Sequence, residues 1–100
     1  MDAKDAKTIL VEMQAHIRQQ GGKPSDWYAG VTSDIEQRLF TEHKVPKKDH
    51  WYIYRRALTA DDARAVEKAF LDSGCDGGTG GGQDDAVFVY AYLKTPVTDP

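Results

Sequence analysis

The chain has 100 residues, of which 40% are apolar and 10% aromatic, and it carries a net charge of −3. A chain of this length forms one ordinary domain around one core, and an acidic balance argues against indiscriminate coating of nucleic acid. No apolar run approaches the roughly 20 residues of a membrane helix, no signal-peptide pattern opens the chain, and the single cysteine, Cys75, excludes an internal disulfide. We therefore expect a cytoplasmic protein that makes no membrane contact.

The first predicted element is an amphipathic helix over residues 2 to 20. Its apolar residues recur at helical spacing, and Gly21-Gly22 end it. Residues 27 to 32 are aromatic and β-branched, which predicts a short buried strand. Ser33 and Glu36 then form the capping-box pattern Ser-x-x-Glu, so we predict a helix from Asp34 to about His43.

A break after this helix leads into a second strand and a third helix. The breaking segment is Val45-Pro46-Lys47-Lys48-Asp49, and Trp51-Tyr52-Ile53-Tyr54 follows as an alternating strand. Thr59 and Asp62 repeat the N-cap pattern, so a helix is predicted from Ala60 to about Ser73.

The C-terminal quarter combines a glycine-rich segment, a strong strand and a short tail. Residues 74 to 85 hold six of the nine glycines and predict a flexible loop. This loop lacks the Lys-Ser/Thr ending of a P-loop, so no nucleotide cofactor is expected. Residues 86 to 93 are the strongest strand candidate, and Pro96 and Pro100 mark a tail over residues 95 to 100.

The predicted order is α-β-α-β-α-β. We expect an α+β domain over residues 1–100, in which helices flank a three-stranded sheet. Charge is unevenly distributed along it, because residues 38 to 56 hold six Lys or Arg side chains against two carboxylates. Such a segment is either a solvated charged turn or a surface that faces phosphates. The candidate nucleic-acid-binding residues are Lys44, Lys47, Lys48, Arg55 and Arg56.

The stretch Tyr28-Ala29-Gly30 through Arg38-Leu39, followed by Glu42-His43, resembles the second half of the GIY-YIG nuclease signature. In that family a Tyr-Ile-Gly strand end leads into a helix that carries an arginine and often a histidine. An aromatic strand and a helix with a metal-binding glutamate come next, and Glu67 is similarly placed here. The resemblance covers residues 27 to about 74. His43 lies one position further from the arginine than in typical members.

The first half of the signature is absent from the N-terminus, where a helix stands instead. Residues 88 to 93, Phe-Val-Tyr-Ala-Tyr-Leu, read like the missing strand. We therefore hypothesise a circularly permuted GIY-YIG-like domain in which residues 87 to 93 pair with residues 27 to 32. Tyr90 would then take the place of the first tyrosine.

The resemblance implies roles for five residues. Glu67 would hold Mg²⁺ or Mn²⁺, Arg38 would bind the phosphate, and Tyr28 and Tyr90 would line the water site, with His43 nearby. Each also has a plainer interpretation. The tyrosines could be core aromatics, and His43 a charge at a helix end. The carboxylate of Glu42 could pair with Arg38, and Arg64 or Lys68 with Glu67.

Two functions remain open on the sequence. One is a small metal-dependent endonuclease, and the other is a non-catalytic module of the same fold that binds nucleic acid or protein, such as a phage or mobile-element accessory protein. Convergence of Tyr28, Arg38, Glu67 and Tyr90 is the observation that the first function requires. The sequence does not predict an oligomeric state.

Overall fold

A computed structural model describes residues 2–20, 23–77 and 85–100. The elements are α1 (Ala6–Gln19), a 3₁₀ turn (Pro24–Asp26), β1 (Trp27–Thr32), a π-helix (Glu36–Glu42), β2 (Tyr52–Arg56), α2 (Ala60–Asp72) and β3 (Phe88–Leu93). The α+β class and the predicted order of helices and strands are confirmed. None of the described helices is both long and apolar enough to cross a membrane.

The last strand of the chain lies in the middle of the sheet. The strand order is β1-β3-β2, and both pairs are antiparallel. Tyr90 on β3 lies opposite Gly30 on one side and Tyr54 on the other. The predicted pairing of the C-terminal strand with the strand at residues 27–32 is therefore present.

The two faces of the sheet carry different cores. Helices α1 and α2 cover one face, which we call the helix face, and together they bury a mainly aliphatic cluster. Its largest members include Ile9, Met13, Trp27, Val66, Phe70 and Val89. The π-helix covers part of the other face, which we call the π face. That face buries a mainly aromatic cluster of Tyr28, Leu39, Val45, Tyr90 and Tyr92.

Helix α1 begins at Ala6, so the predicted start at residue 2 is wrong. Asp5 is the N-cap, and its Oδ1 accepts a hydrogen bond from the Thr8 N–H at 2.8 Å. Residue 4 instead makes a parallel bridge to Ala57, just beyond β2. The predicted cap of α2 is confirmed, because the Thr59 hydroxyl accepts from the Asp62 N–H at 3.1 Å.

The helix after β1 has π rather than α geometry, and its predicted cap at Ser33 is wrong. The Thr32 hydroxyl accepts from the Asp34 N–H at 3.0 Å, and Asp34 Oδ1 accepts from the Gln37 N–H at 3.2 Å. Further along, the His43 N–H donates to the Arg38 carbonyl, five residues back, at 3.0 Å. These contacts replace the predicted Ser-x-x-Glu box.

Two predicted strand boundaries also shift. Trp51 precedes β2 with 49% of its surface exposed, so the predicted start of this strand at Trp51 is wrong, and the strand runs on to Arg56. The third strand begins at Phe88, two residues later than predicted. In the segment predicted to be flexible, Asp76 exchanges backbone hydrogen bonds with β1, accepting from Ala29 and donating to Trp27. Residues 78–84 of that segment lie outside the described part.

Candidate functional site

The site is built on a close approach between Gly30 and Tyr90. Because the two residues lie opposite each other in the sheet, the Tyr90 ring lies across β1 at the glycine. A Cβ atom at position 30 would lie 2.5 Å from the Tyr90 hydroxyl oxygen and 2.7 Å from its Cζ. Real Cβ atoms do not approach other atoms so closely, so the Tyr90 ring can take this position only if residue 30 is glycine.

His43 holds the Tyr90 hydroxyl from the π-helix side. Its Nε2 lies 2.8 Å from the Tyr90 hydroxyl, and its Nδ1 lies 2.8 Å from the Asp99 carbonyl oxygen and 3.1 Å from the Tyr92 hydroxyl. A carbonyl can only accept, so we assign the ring proton to Nδ1. Neutral Nε2 then accepts the Tyr90 hydrogen.

Burial sets the protonation states of this pair. His43 is 6% exposed, and burial lowers its pKa, so the imidazole is neutral at pH 7. Burial, with Tyr28 close by, raises the pKa of Tyr90, although Arg38 opposes the shift. The tyrosine therefore stays protonated, and its hydroxyl is available as a donor to the histidine.

The π-helix brings Arg38 and His43 to the same side. In an α-helix, residues five apart point about 140° away from each other. In the π-helix the backbone hydrogen bond itself joins residues five apart, here Arg38 and His43. The wider turn therefore brings Arg38 and His43 to one side, and both side chains reach Tyr90.

Arg38 lies at the entrance to this cluster. Its Nη1 is 3.2 Å from Glu42 Oε1, and its side chain is 33% exposed. Its Nε atom is buried without a hydrogen-bond partner in the described part of the chain, although the Tyr90 hydroxyl is a neighbour. Burial opposes the charge of the guanidinium, but Tyr90 and Glu42 outweigh burial and raise its pKa. Arg38 is therefore a permanent cation with an unused buried donor.

Glu67 reaches the same cluster from α2. The side chain is half-buried, and burial raises its pKa against the opposing charges of Arg64 and Arg38. It also interacts electrostatically with Tyr90. A carboxylate from the helix face thus lies within electrostatic reach of two residues of the π face.

Tyr28, His43 and Tyr90 therefore lie together, Arg38 adjoins Tyr90, and Glu67 lies within electrostatic reach of Arg38 and Tyr90. The Tyr28 ring lies 4.6 Å from the His43 ring and 6.5 Å from the Tyr90 ring, between centroids. The plainer interpretation of Arg38 also holds, because it pairs with Glu42. Lys68 pairs with Asp72 at 3.0 Å and leaves Arg64 as the neighbour of Glu67. His43 is not a charge at a helix end, because it is buried and neutral.

The donor set at this site suits a weakly held magnesium ion. The described residues contain no group of three or more His, Cys, Asp or Glu side chains that could hold a metal. Glu67 instead supplies one carboxylate beside an arginine. Mg²⁺ commonly binds proteins through one or two carboxylates and completes its shell with water and substrate phosphates. The residues present fit such an ion and not an all-protein metal site.

The five basic candidates do not form one group. Arg55 points to the helix face, where its Nε donates to Glu12 Oε1 at 2.9 Å. Lys47 pairs with Glu36 at 3.1 Å and lies 5.1 Å from the centre of the Phe40 ring. The other three are exposed, and none of them makes an ion pair in the described part of the chain. They are Lys44, Lys48 and Arg56.

Sequence reasoning missed two members of the site. Tyr92 alternates with Tyr90 along β3, so the period of two could have placed it on the same face. The sequence contained no signal for the Asp99 carbonyl, because a backbone contact made by the tail does not depend on a residue pattern. The tail is nevertheless fixed here, since the Asp99 N–H also donates to the His43 carbonyl at 2.7 Å.

Cys75 lies away from this site. It lines a cavity of about 300 Å³ between the ends of α1 and α2, with Ile17 and Phe70 among its neighbours. Burial raises the pKa of its thiol, which keeps it in the unreactive protonated form.

No family model matches the chain, and no curated protein or solved structure is detectably similar to it.

Proposed function

We propose that this protein is a small nuclease that hydrolyses phosphodiester bonds of nucleic acid with the help of Mg²⁺ or Mn²⁺. The observation that carries the proposal is the cluster of Arg38, His43 and Tyr90, with the Glu67 carboxylate of α2 within electrostatic reach of Arg38 and Tyr90. The central position of β3 supports a second part of the proposal, that the chain is a circularly permuted relative of the GIY-YIG nucleases. We place the activity in the cytoplasm, in keeping with a single unpaired thiol.

Arg38 is the phosphate-binding group in this proposal. Its pair with Glu42 is partly exposed, and such pairs contribute only about 0–1 kcal/mol, so a phosphate can replace the carboxylate. A guanidinium binds phosphate oxygens through two parallel hydrogen bonds, and the partly exposed end of Arg38 can offer them once Glu42 is displaced.

Tyr90 and His43 form a path for the proton of the attacking water. The water oxygen bonds to phosphorus while one of its protons passes to the Tyr90 oxygen. The Tyr90 proton moves at the same time to His43 Nε2, which is the atom that already accepts it. The bond from phosphorus to the leaving oxygen breaks, that oxygen takes a proton from solvent, and His43 later returns its proton through Tyr90.

Glu67 anchors the divalent ion in this proposal. A bound ion would supply Lewis-acid stabilisation of the charge that develops on the phosphate. The raised pKa of Glu67 means that protons compete with the ion in mildly acidic solution. The half-buried position of the carboxylate keeps it next to Arg38 and limits the room around it.

A second candidate function is a non-catalytic module that binds nucleic acid or protein. The burial of the proton path favours it, because Tyr90 is 1% exposed and His43 is 6% exposed. In addition, a single carboxylate gives little metal affinity. Under this alternative the polar cluster serves to fix the π-helix on the sheet.

Cleavage of supercoiled plasmid and single-stranded DNA separates the two candidates. The nuclease proposal predicts cleavage that requires Mg²⁺ or Mn²⁺ and falls about 10²- to 10³-fold in Arg38→Ala and in Glu67→Gln. Arg18→Ala and Asp61→Asn change exposed charges elsewhere and should leave the rate unchanged. Activity that survives in both site variants would come from a contaminant, and folded protein without activity would favour the binding module.

A further inference from the structure

A strip of half-buried aromatic rings lies beside the candidate site. It consists of Phe40 on the π-helix, Tyr52 and Tyr54 on β2, and Phe88 on β3, and we call it the aromatic strip. The Tyr52 and Tyr54 rings are parallel within 3°, with centroids 6.4 Å apart. Phe40 meets Tyr52 edge-on at 5.3 Å. The edge strand of the sheet therefore presents two aligned tyrosine rings.

Contacts with the π-helix and the following loop fix the orientation of the Tyr52 and Phe40 rings. The Tyr52 hydroxyl donates to the Lys47 carbonyl at 3.1 Å. Lys47 Nζ lies over the Phe40 ring at 5.1 Å, and its side chain pairs with Glu36. A ring held in place loses little entropy when a ligand stacks on it, which favours binding.

Exposed cations surround the strip. Arg56 follows Tyr54 on the same face of β2, since side chains alternate along a strand. Lys44 and Lys48 lie in the loop that also carries Lys47. In the described part of the chain, Lys44, Lys48 and Arg56 make no ion pair, whereas Lys47 pairs with Glu36. Glu36 and Asp49 are the nearby carboxylates, and Glu36 is already paired. The strip thus combines flat apolar rings with unpaired positive charge.

We propose that the aromatic strip binds single-stranded nucleic acid, with bases stacked on Tyr52 and Tyr54 and phosphates held by Lys48 and Arg56. This inference rests on the proposed function and names its substrate class. Aromatic rings beside a basic groove are the general means of holding an unpaired strand, because every base has a stacking face. In a duplex those faces are occupied by neighbouring bases. The ring spacing is about twice the ~3.4 Å rise per base of a stacked strand.

The strip leads toward the phosphate-binding arginine. Tyr54, Tyr90 and Gly30 form one row across the sheet, so Tyr54 lies two strands, or about 10 Å, from Gly30. Arg38 adjoins Tyr90 in the middle of this row. When the bases of a single-stranded nucleic acid stack on the two tyrosines, the neighbouring phosphates therefore lie within reach of the candidate site.

Binding measured without divalent ions tests this inference. Fluorescence anisotropy would compare a short labelled oligothymidylate with a duplex of the same length. We expect the single strand to bind at least about 10-fold more tightly, and Tyr54→Leu to weaken it by about 5- to 100-fold. Tyr54→Phe keeps the ring and should bind like the wild type. Val11→Ala removes an exposed apolar side chain on α1 and is the matched control.

The salt dependence tests the cations separately. Lys48→Ala and Arg56→Ala should each reduce the slope of log affinity against log salt by about 0.7, whereas Lys7→Ala, an exposed lysine on α1, should not. Equal affinity for duplex and single strand, or unchanged binding by a folded Tyr54→Leu variant, would overturn the inference. So would sedimentation showing that the strip is buried between two copies of the chain.

The outcomes also separate this inference from the proposed function. One outcome is that the protein cleaves nothing but binds single strands in a way that depends on Tyr54 and persists in Glu67→Gln. The proposal for the aromatic strip would then stand, and the nuclease proposal would be wrong. The opposite outcome is metal-dependent cleavage with binding that is unchanged in Tyr54→Leu. The proposal for the aromatic strip would then be wrong, and the nuclease proposal would stand.

Discussion

At the scale of single residues, Gly30 and Tyr90 depend on each other because the tyrosine ring fills the space where a Cβ would stand. Gly30→Ala should therefore destabilise the protein by about 1–3 kcal/mol, since the ring must move or the strands must separate. Chemical denaturation followed by circular dichroism measures this loss. In a Tyr90→Leu background the same change should cost much less, and an equal cost in both backgrounds would contradict the contact.

His43 should make stability depend on pH. Its folded pKa lies below the unfolded value of about 6.5, so the unfolded state binds more protons in this window. The stability it contributes is fully present above pH 6.5 and is lost as pH falls toward its folded pKa. The expected slope is at most about 1.4 kcal/mol per pH unit.

This slope is measured best in Glu67→Gln protein, because the raised pKa of Glu67 acts with the opposite sign and adds stability as pH falls. Replacing His43 by Gln should flatten the curve of unfolding free energy between pH 7 and 5. Part of the slope should remain, since burial and Arg55 also lower the pKa of His16. A curve that is unchanged in His43→Gln would show that His43 is not buried as a neutral ring.

At the scale of elements, the π-helix positions two residues of the candidate site, Arg38 and His43. Its hydrogen bond from His43 to Arg38 spans five residues, whereas an α-helix would join residues four apart. Removing one residue from this turn should allow α geometry and still leave the arginine and the histidine on one side. The extra residue is therefore tolerated by the wider turn and is not needed for the alignment.

Deletion of Thr41, which is exposed in this helix, tests that statement. We expect the fold to survive with a stability change within about 1 kcal/mol, because propensity differences at one exposed position are of that size. Deleting the exposed Lys68 of α2 is the control. It turns buried Phe70 away from the core, and its expected cost is about 3 kcal/mol or more. If the Thr41 deletion destabilises the protein as much as the Lys68 deletion does, the π geometry is required.

At the scale of the whole molecule, the sequence predicted the order of elements and the pairing of the C-terminal strand with residues 27–32. Strong periodicity places α1, α2 and β3 without knowledge of the fold. The alternation along β2 also separates Arg55 from Arg56, so these two candidates could have been assigned to opposite faces from the sequence. The sequence did not predict the π geometry, since a π-helix is built from the same residue types as an α-helix. The tail that closes over His43 carries no pattern at all.

The distribution of charge also belongs to this scale. Among the described residues, three cations near the aromatic strip make no ion pair, whereas Arg55 pairs with Glu12 on the helix face. A polyanion is therefore expected to approach from the side of the strip.

The cleavage rate of a labelled single strand, followed as a function of pH in excess protein with Mg²⁺, tests the central claim most directly. The account predicts cleavage that is constant at neutral and higher pH, falls in acidic solution as His43 and Glu67 become protonated, and is lost about 10²- to 10³-fold in Arg38→Ala. A folded protein that cleaves nothing, or one whose rate is the same with and without Arg38, would contradict it.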